Sequence, residues 1–113
     1  MTKIKFFKIN NDFVGFECSG HTGYESYGKD VLCATISGIT QSIVLGLKTV
    51  CEIDINLDRD ENVGYLKVEL PNNLDSIKLS KAQILFGTLF ESIKDLIDGY
   101  SKYISMEVIE YVY

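Results

Sequence analysis

The sequence predicts a small α+β domain, an antiparallel or mixed sheet carrying two helices in the order β-β-α-β-β-α-β. Three observations predict it. Segments with period-two hydrophobicity occur near both ends and in the middle of the chain. Two longer segments carry apolar residues at three- and four-residue steps. No internal repeat, linker or low-complexity stretch interrupts them. With 113 residues the chain has room for one domain, 1–113, and little more.

Residues 3–9 (KIKFFKI) and 13–18 (FVGFEC) read as strands joined at Asn10-Asn11-Asp12, residue types that suit tight turns. On the second strand Val14, Phe16 and Cys18 share the face expected to point inward. Residues 19–29 (SGHTGYESYGK) have no period and contain three glycines, two tyrosines and the only histidine. They read as a mobile loop. From Asp30 to Lys48 the period is helical, with Leu32, Ile36, Ile39, Ile43 and Leu47 in one stripe. Segments 52–57 (EIDINL) and 63–70 (VGYLKVEL) alternate as strands around the polar turn DRDEN, and Pro71-Asn72-Asn73 ends the second. Ser80 and Gln83 make a capping-box pattern before the stripe Ala82, Phe86, Leu89, Ile93, Ile97 and Tyr100, with Gly99 marking the helix end. Residues 103–112 (YISMEVIEYV) read as a last strand.

Composition narrows the function. The chain is 46% hydrophobic and 24% charged, which excludes a disordered tail or a collagen-like rod. A net charge of −5 argues against general nucleic-acid binding, because neutralising phosphates calls for a basic surplus. The N-terminus MTKIKFFKINND has no signal-peptide pattern, and polar residues break the apolar stretches too early for a membrane span. Three cysteines cannot all pair, so the expectation is a reduced, cytoplasmic protein.

The chemistry concentrates at His21, Asp30 and Cys33. A cysteine nucleophile needs a thiolate, a base to form it and donors for the oxyanion that follows. Cys33 falls in the first turn of the expected helix, where unpaired N–H groups and the helix dipole favour negative charge. It aligns with Ser37 and Gln41, beside the apolar stripe and not within it. His21, twelve residues earlier between Gly20 and Gly23, can fold back onto it. Asp30 reads either as a helix N-cap, worth about 1 kcal/mol, or as the group that orients His21. Ser37 either lines the site or bonds a carbonyl of its own helix. Tyr24 and Tyr27 are loop anchors or substrate contacts.

Cys18, on an apolar strand face, and Cys51 read as packed small hydrophobes. Cys18-x-x-His21 is half a zinc motif, but Cys33 and Cys51 stand about 27 Å apart on a continuous helix and cannot complete it. No metal site is expected. The glycines match neither a dinucleotide nor a P-loop pattern. On the residues alone a thiol protease, another thiol enzyme and a non-catalytic interaction module all remain open, with a redox role weakened because no resolving cysteine stands nearby in sequence.

The run Gly20-His21-Thr22-Gly23-Tyr24, then Tyr27-Gly28-Lys29-Asp30-Val31-Leu32-Cys33-Ala34 and Ser37, resembles the ribosomal-processing cysteine protease family (Prp) of Firmicutes and related bacteria. The resemblance extends over essentially the whole chain. It implies a catalytic dyad of His21 and Cys33, with Asp30 and Ser37 in supporting roles. It implies a cofactor-free endopeptidase that removes a short N-terminal extension from a large-subunit ribosomal protein, the twenty-seventh in the usual series, after a hydrophobic, phenylalanine-containing segment. It also implies a homodimer whose histidine loop rearranges over the site. Gly20, Gly23 and Gly28 would let that loop open, and Tyr24 and Tyr27 would contact the substrate's apolar residues. Thr22 stands where a small residue is expected, and Gly38 follows Ser37; neither removes a catalytic group.

Overall fold

The computed structural model describes residues 1–20 and 27–112, with side chains described up to Gly20 and from Val31 on. Strands β1 (Thr2–Ile9) and β2 (Asp12–Ser19) form a hairpin. Its two-residue turn, Asn10-Asn11, has φ of 48° and 74°, the left-handed pair that a tight hairpin needs and asparagine tolerates. β2 pairs antiparallel with β4 (Tyr65–Glu69), which pairs antiparallel with β3 (Asn56–Asp60). β1 pairs in parallel with β5 (Ile104–Tyr111). The five strands form one mixed sheet in the order β3-β4-β2-β1-β5, as an α+β domain requires.

Helices α1 (Tyr27–Leu45) and α2 (Ser76–Tyr100) supply the second layer. Ile4, Phe6, Phe16, Cys18, Leu66, Val68 and Ile104 from the sheet pack in one core with Leu32, Ile36, Ile43, Ala82, Phe86, Leu89 and Ile93 from the helices. Both helical stripes are therefore real, except that Tyr100 lies exposed at the end of its stripe. By length and composition Val31–Val50 resembles a membrane span. Here its apolar side is taken up by the core, where Leu32, Ile36, Ile43 and Leu47 are buried.

Four expectations are corrected. First, α1 begins at Tyr27, three residues before Asp30, and after Leu45 it continues as a π turn over Gly46–Val50. Asp30 therefore lies inside the helix and is not its N-cap. Second, β2 contains a bulge: Phe7 faces Gly15 while Lys8 faces Phe13, so Val14 is the extra residue. The register shift brings Phe13 to the core instead of Val14, and its ring packs against Phe6 and Phe90 at 5.7 Å and Phe86 at 6.2 Å. Gly15 is required there, since a Cβ would run into the Val68 carbonyl of β4.

Third, β3 occupies Asn56–Asp60 and not 52–57, so part of the expected polar turn is strand. All five of its residues are exposed, and backbone pairing with β4 holds the strand without an apolar face. The turn moves to Glu61–Gly64, where Gly64 adopts φ 64°. Fourth, α2 starts one turn before the Ser80–Gln83 pattern. Asp75 is its N-cap, accepting from the Lys78 N–H at 2.8 Å. Gln83 reaches across to β2 instead: its Nε2 donates to the Phe13 carbonyl at 2.8 Å, and its Oε1 accepts from the Phe13 N–H at 2.7 Å.

Candidate active site

Helical spacing puts Cys33, Ser37 and Gln41 on one line of α1, one turn apart. All three line a cleft of about 270 Å³ between that helix and the β3–β4 hairpin. Ile36 of α1, Cys18 of β2 and Leu66 of β4 give the cleft an apolar lining, while Arg59, Glu61 and Tyr65 line it from the hairpin side. Leu66 pairs with both Arg59 and Cys18 across the sheet, so one row of residues runs under this part of α1. Among the described residues Arg59 forms no ion pair.

The start of α1 at Tyr27 places Cys33 at the seventh helical position. Its N–H is thus beyond the four N-terminal groups that lack an intrahelical partner. The expectation that unpaired helix-start donors adjoin the sulfur is corrected accordingly. A polar alternative stands one turn on. The Ser37 hydroxyl accepts from Gln41 Nε2 at 2.8 Å, and no described residue accepts its own proton. The Thr40 hydroxyl, buried in the same wall, donates back to the Ile36 carbonyl at 2.9 Å.

Cys18 shares this cleft with Cys33, although sequence separation had suggested no second thiol nearby. Burial, with the Glu17 carboxylate adding, pushes the Cys18 thiol up to about 12. At neutral pH it is a protonated, unreactive packing group, as its place on the apolar strand face implies. Cys51 packs half-buried against the core, and no disulfide joins the three cysteines.

Gly20 directly follows β2 and lines the cleft with φ 87°, and a Cβ there would stand 2.7 Å from the Met1 carbonyl. Its conformation is therefore a requirement of the strand end. His21, Gly23 and Tyr24 lie outside the described residues, and Tyr27, Gly28 and Asp30 are described only as backbone within α1. Asp30 stands one turn before Cys33. Sequence reading passed over Arg59 and Glu61, which looked like turn residues, and placed Gln41 on the Cys33 line without assigning it a role. Its position eight residues after the candidate nucleophile was the available signal.

Comparison with known proteins bears on the family and the fold. The model of a family described as cysteine protease Prp matches residues 1–105. The ribosomal processing cysteine protease Prp of Bacillus subtilis (strain 168) is 28% identical over 83 residues, 74% of each chain. The crystal structure of the SMU.848 protein from Streptococcus mutans superposes with a TM-score of 0.86 at 24% identity, covering 98% of this chain and 96% of that one. An essential ribosomal processing protease of S. aureus, crystallised with a substrate peptide, superposes with a TM-score of 0.83 at 15% identity, covering 96% and 100%.

Proposed function

The chain belongs to the Prp family of cysteine proteases, and we propose that it removes the N-terminal extension of a large-subunit ribosomal protein, the twenty-seventh, using Cys33 and His21. The observation that carries this reading is the position of Cys33 beside a cleft of about 270 Å³, on the polar line of α1, within a chain that matches the family model over residues 1–105.

In the proposed mechanism His21 takes the Cys33 proton, and the sulfur attacks the scissile carbonyl to form a tetrahedral oxyanion. The Ser37 hydroxyl, which accepts from Gln41 and whose proton no described residue accepts, supports that oxyanion one turn away. Collapse of the intermediate breaks the C–N bond, with His21 protonating the leaving amine. Water then hydrolyses the thioester and regenerates the thiol. Asp30, one turn before Cys33, pairs with His21 and favours its imidazolium form. Gly20, Gly23 and Gly28 shape the loop that carries the histidine, and Tyr24 and Tyr27 contact apolar residues of the substrate. The apolar lining from Ile36 and Leu66 suits the hydrophobic, phenylalanine-containing segment that precedes the cut. The protein works in the cytoplasm as a homodimer, and the exposed Val108 and Tyr111 on the outer strand β5 offer an edge for pairing.

The test is incubation of wild type, Cys33→Ala and His21→Ala with the host's full-length ribosomal protein, read by intact mass. A single N-terminal truncation by wild type, lost by at least a hundredfold in rate in both variants, is the expected result. Truncation that persists without Cys33 would assign another nucleophile. Stable binding without truncation by any form would make the domain an interaction module.

A further inference from the structure

We propose that Gln41 is a peptide-binding residue of this cleft, gripping the main chain of the substrate three to four residues from the scissile bond. The inference rests on the protease reading and deepens it by adding a subsite. Gln41 lies eight residues after Cys33 on the same line of α1 and borders the same cleft. At 1.5 Å per residue that separation is about 12 Å. An extended peptide advances about 3.3 Å per residue, so it reaches Gln41 after three to four residues.

The bonding state of Gln41 fits this role. Its Nε2 donates to Ser37 Oγ at 2.8 Å, which restrains the side chain and leaves one amide proton and Oε1 with capacity for other partners. The neighbouring Thr40 hydroxyl does not compete for them, because it donates to the Ile36 and Ser37 carbonyls at 2.9 and 3.1 Å. Gln83 shows, in the same molecule, how a glutamine amide grips an extended chain: it holds both the N–H and the C=O of Phe13, at 2.7 and 2.8 Å. The hairpin side of the cleft presents Arg59 and Glu61, whose opposite charges select for neither sign of substrate charge. Main-chain recognition from α1 is independent of substrate side chains, and a side chain already held by Ser37 loses little further freedom on binding.

The test uses three synthetic peptides spanning the cleavage junction of the ribosomal protein. One keeps six residues on each side of the cut, and the other two keep only two residues on one side or the other. The constants kcat and KM are measured for wild type, Gln41→Ala and Gln41→Met, the latter preserving length without polar atoms. Gln41 is solvent-exposed, so both variants should fold, and a urea midpoint checks this. For wild type, one truncation is expected to lower kcat/KM roughly tenfold, the loss of one or two hydrogen bonds. Both variants should lose a similar factor on the long peptide, chiefly in KM, and the penalty for that truncation should disappear. A loss of equal size on all three peptides, or a truncation penalty that survives in the variants, would mean Gln41 acts only through Ser37 and would overturn the inference. Failure of wild type to cleave even the long peptide would overturn the protease reading and this subsite with it.

Discussion

Cys18 and Cys33 line one cleft, yet their surroundings give them different chemistry. The Cys18 thiol sits on the inward face of β2, 8% exposed, between Ile4 and Leu66 in neighbouring strands. Its alternation with Phe16 made that burial legible in the sequence. Nothing in the sequence could show that the sheet carries it beneath the helix of Cys33, because that depends on the strand order. The raised thiol has a consequence for stability. In the unfolded chain the thiol ionises near 9.0, whereas in the fold it stays protonated up to about 12. The folded state therefore holds the extra proton between these values. The associated stability is complete below pH 9 and is lost as pH rises through this window, by about 1.4 kcal/mol per pH unit. Urea midpoints of wild type and Cys18→Ala at pH 7, 9, 10 and 11 should show it. Wild type falls more steeply above pH 9, whereas parallel curves would mean that the thiol is solvated in the native state.

At the level of elements, hydrophobic period located both helices and four of the strands to within a few residues, since their inward faces are apolar. The errors arose where tertiary contacts or backbone pairing overrode a local pattern. β3 has no apolar face to read and is held by its ladder to β4. The Ser80–Gln83 pattern matched a capping box, but Asp75 caps the helix, and Gln83 fastens α2 to the bulged end of β2. That clamp satisfies both backbone groups of Phe13 in a partly buried position next to the aromatic cluster of Phe6, Phe86 and Phe90. Gln83→Leu keeps most of the bulk while leaving both groups without their partner. It should cost about 2 kcal/mol of stability, two part-buried hydrogen bonds. A urea titration checks it, and a loss below about 0.5 kcal/mol would show that water replaces the amide at little cost.

For the molecule as a whole, the described residues that line the cleft all fall between Thr2 and Leu66, and among the described residues the last third of the chain contributes none of them. That division follows from topology. β1 lies inside the sheet only because β5 pairs with it in parallel along its whole length, from Thr2↔Ile104 to Ile9↔Tyr111. The Thr2 N–H donates to the Tyr103 carbonyl at 2.9 Å, so the strand that brings Thr2 to the cleft is fixed from its far side by the end of the chain. Ending the chain at Ser101 would remove the β1–β5 ladder, uncover the buried Ile4 and Phe6 near the new edge and eliminate the buried Ile104. The apolar contribution of Ile104 alone is about 2–3 kcal/mol, and with the ladder it forms a large part of a total near 5–15 kcal/mol. The truncated chain should therefore fail to fold cooperatively, and the newly opened edge of β1, still paired with β2 on its other side, should make it aggregate. Cleavage should be lost although Cys33, Ser37, Gln41, Arg59 and Glu61 all remain. Ending the chain at Tyr111 instead removes the exposed Val112 and leaves the ladder complete, so that form should keep wild-type circular dichroism and activity. If the chain ending at Ser101 retained cooperative unfolding and cleavage, the two helices and the first four strands would be a self-sufficient unit, and the parallel strand would not be what holds the cleft.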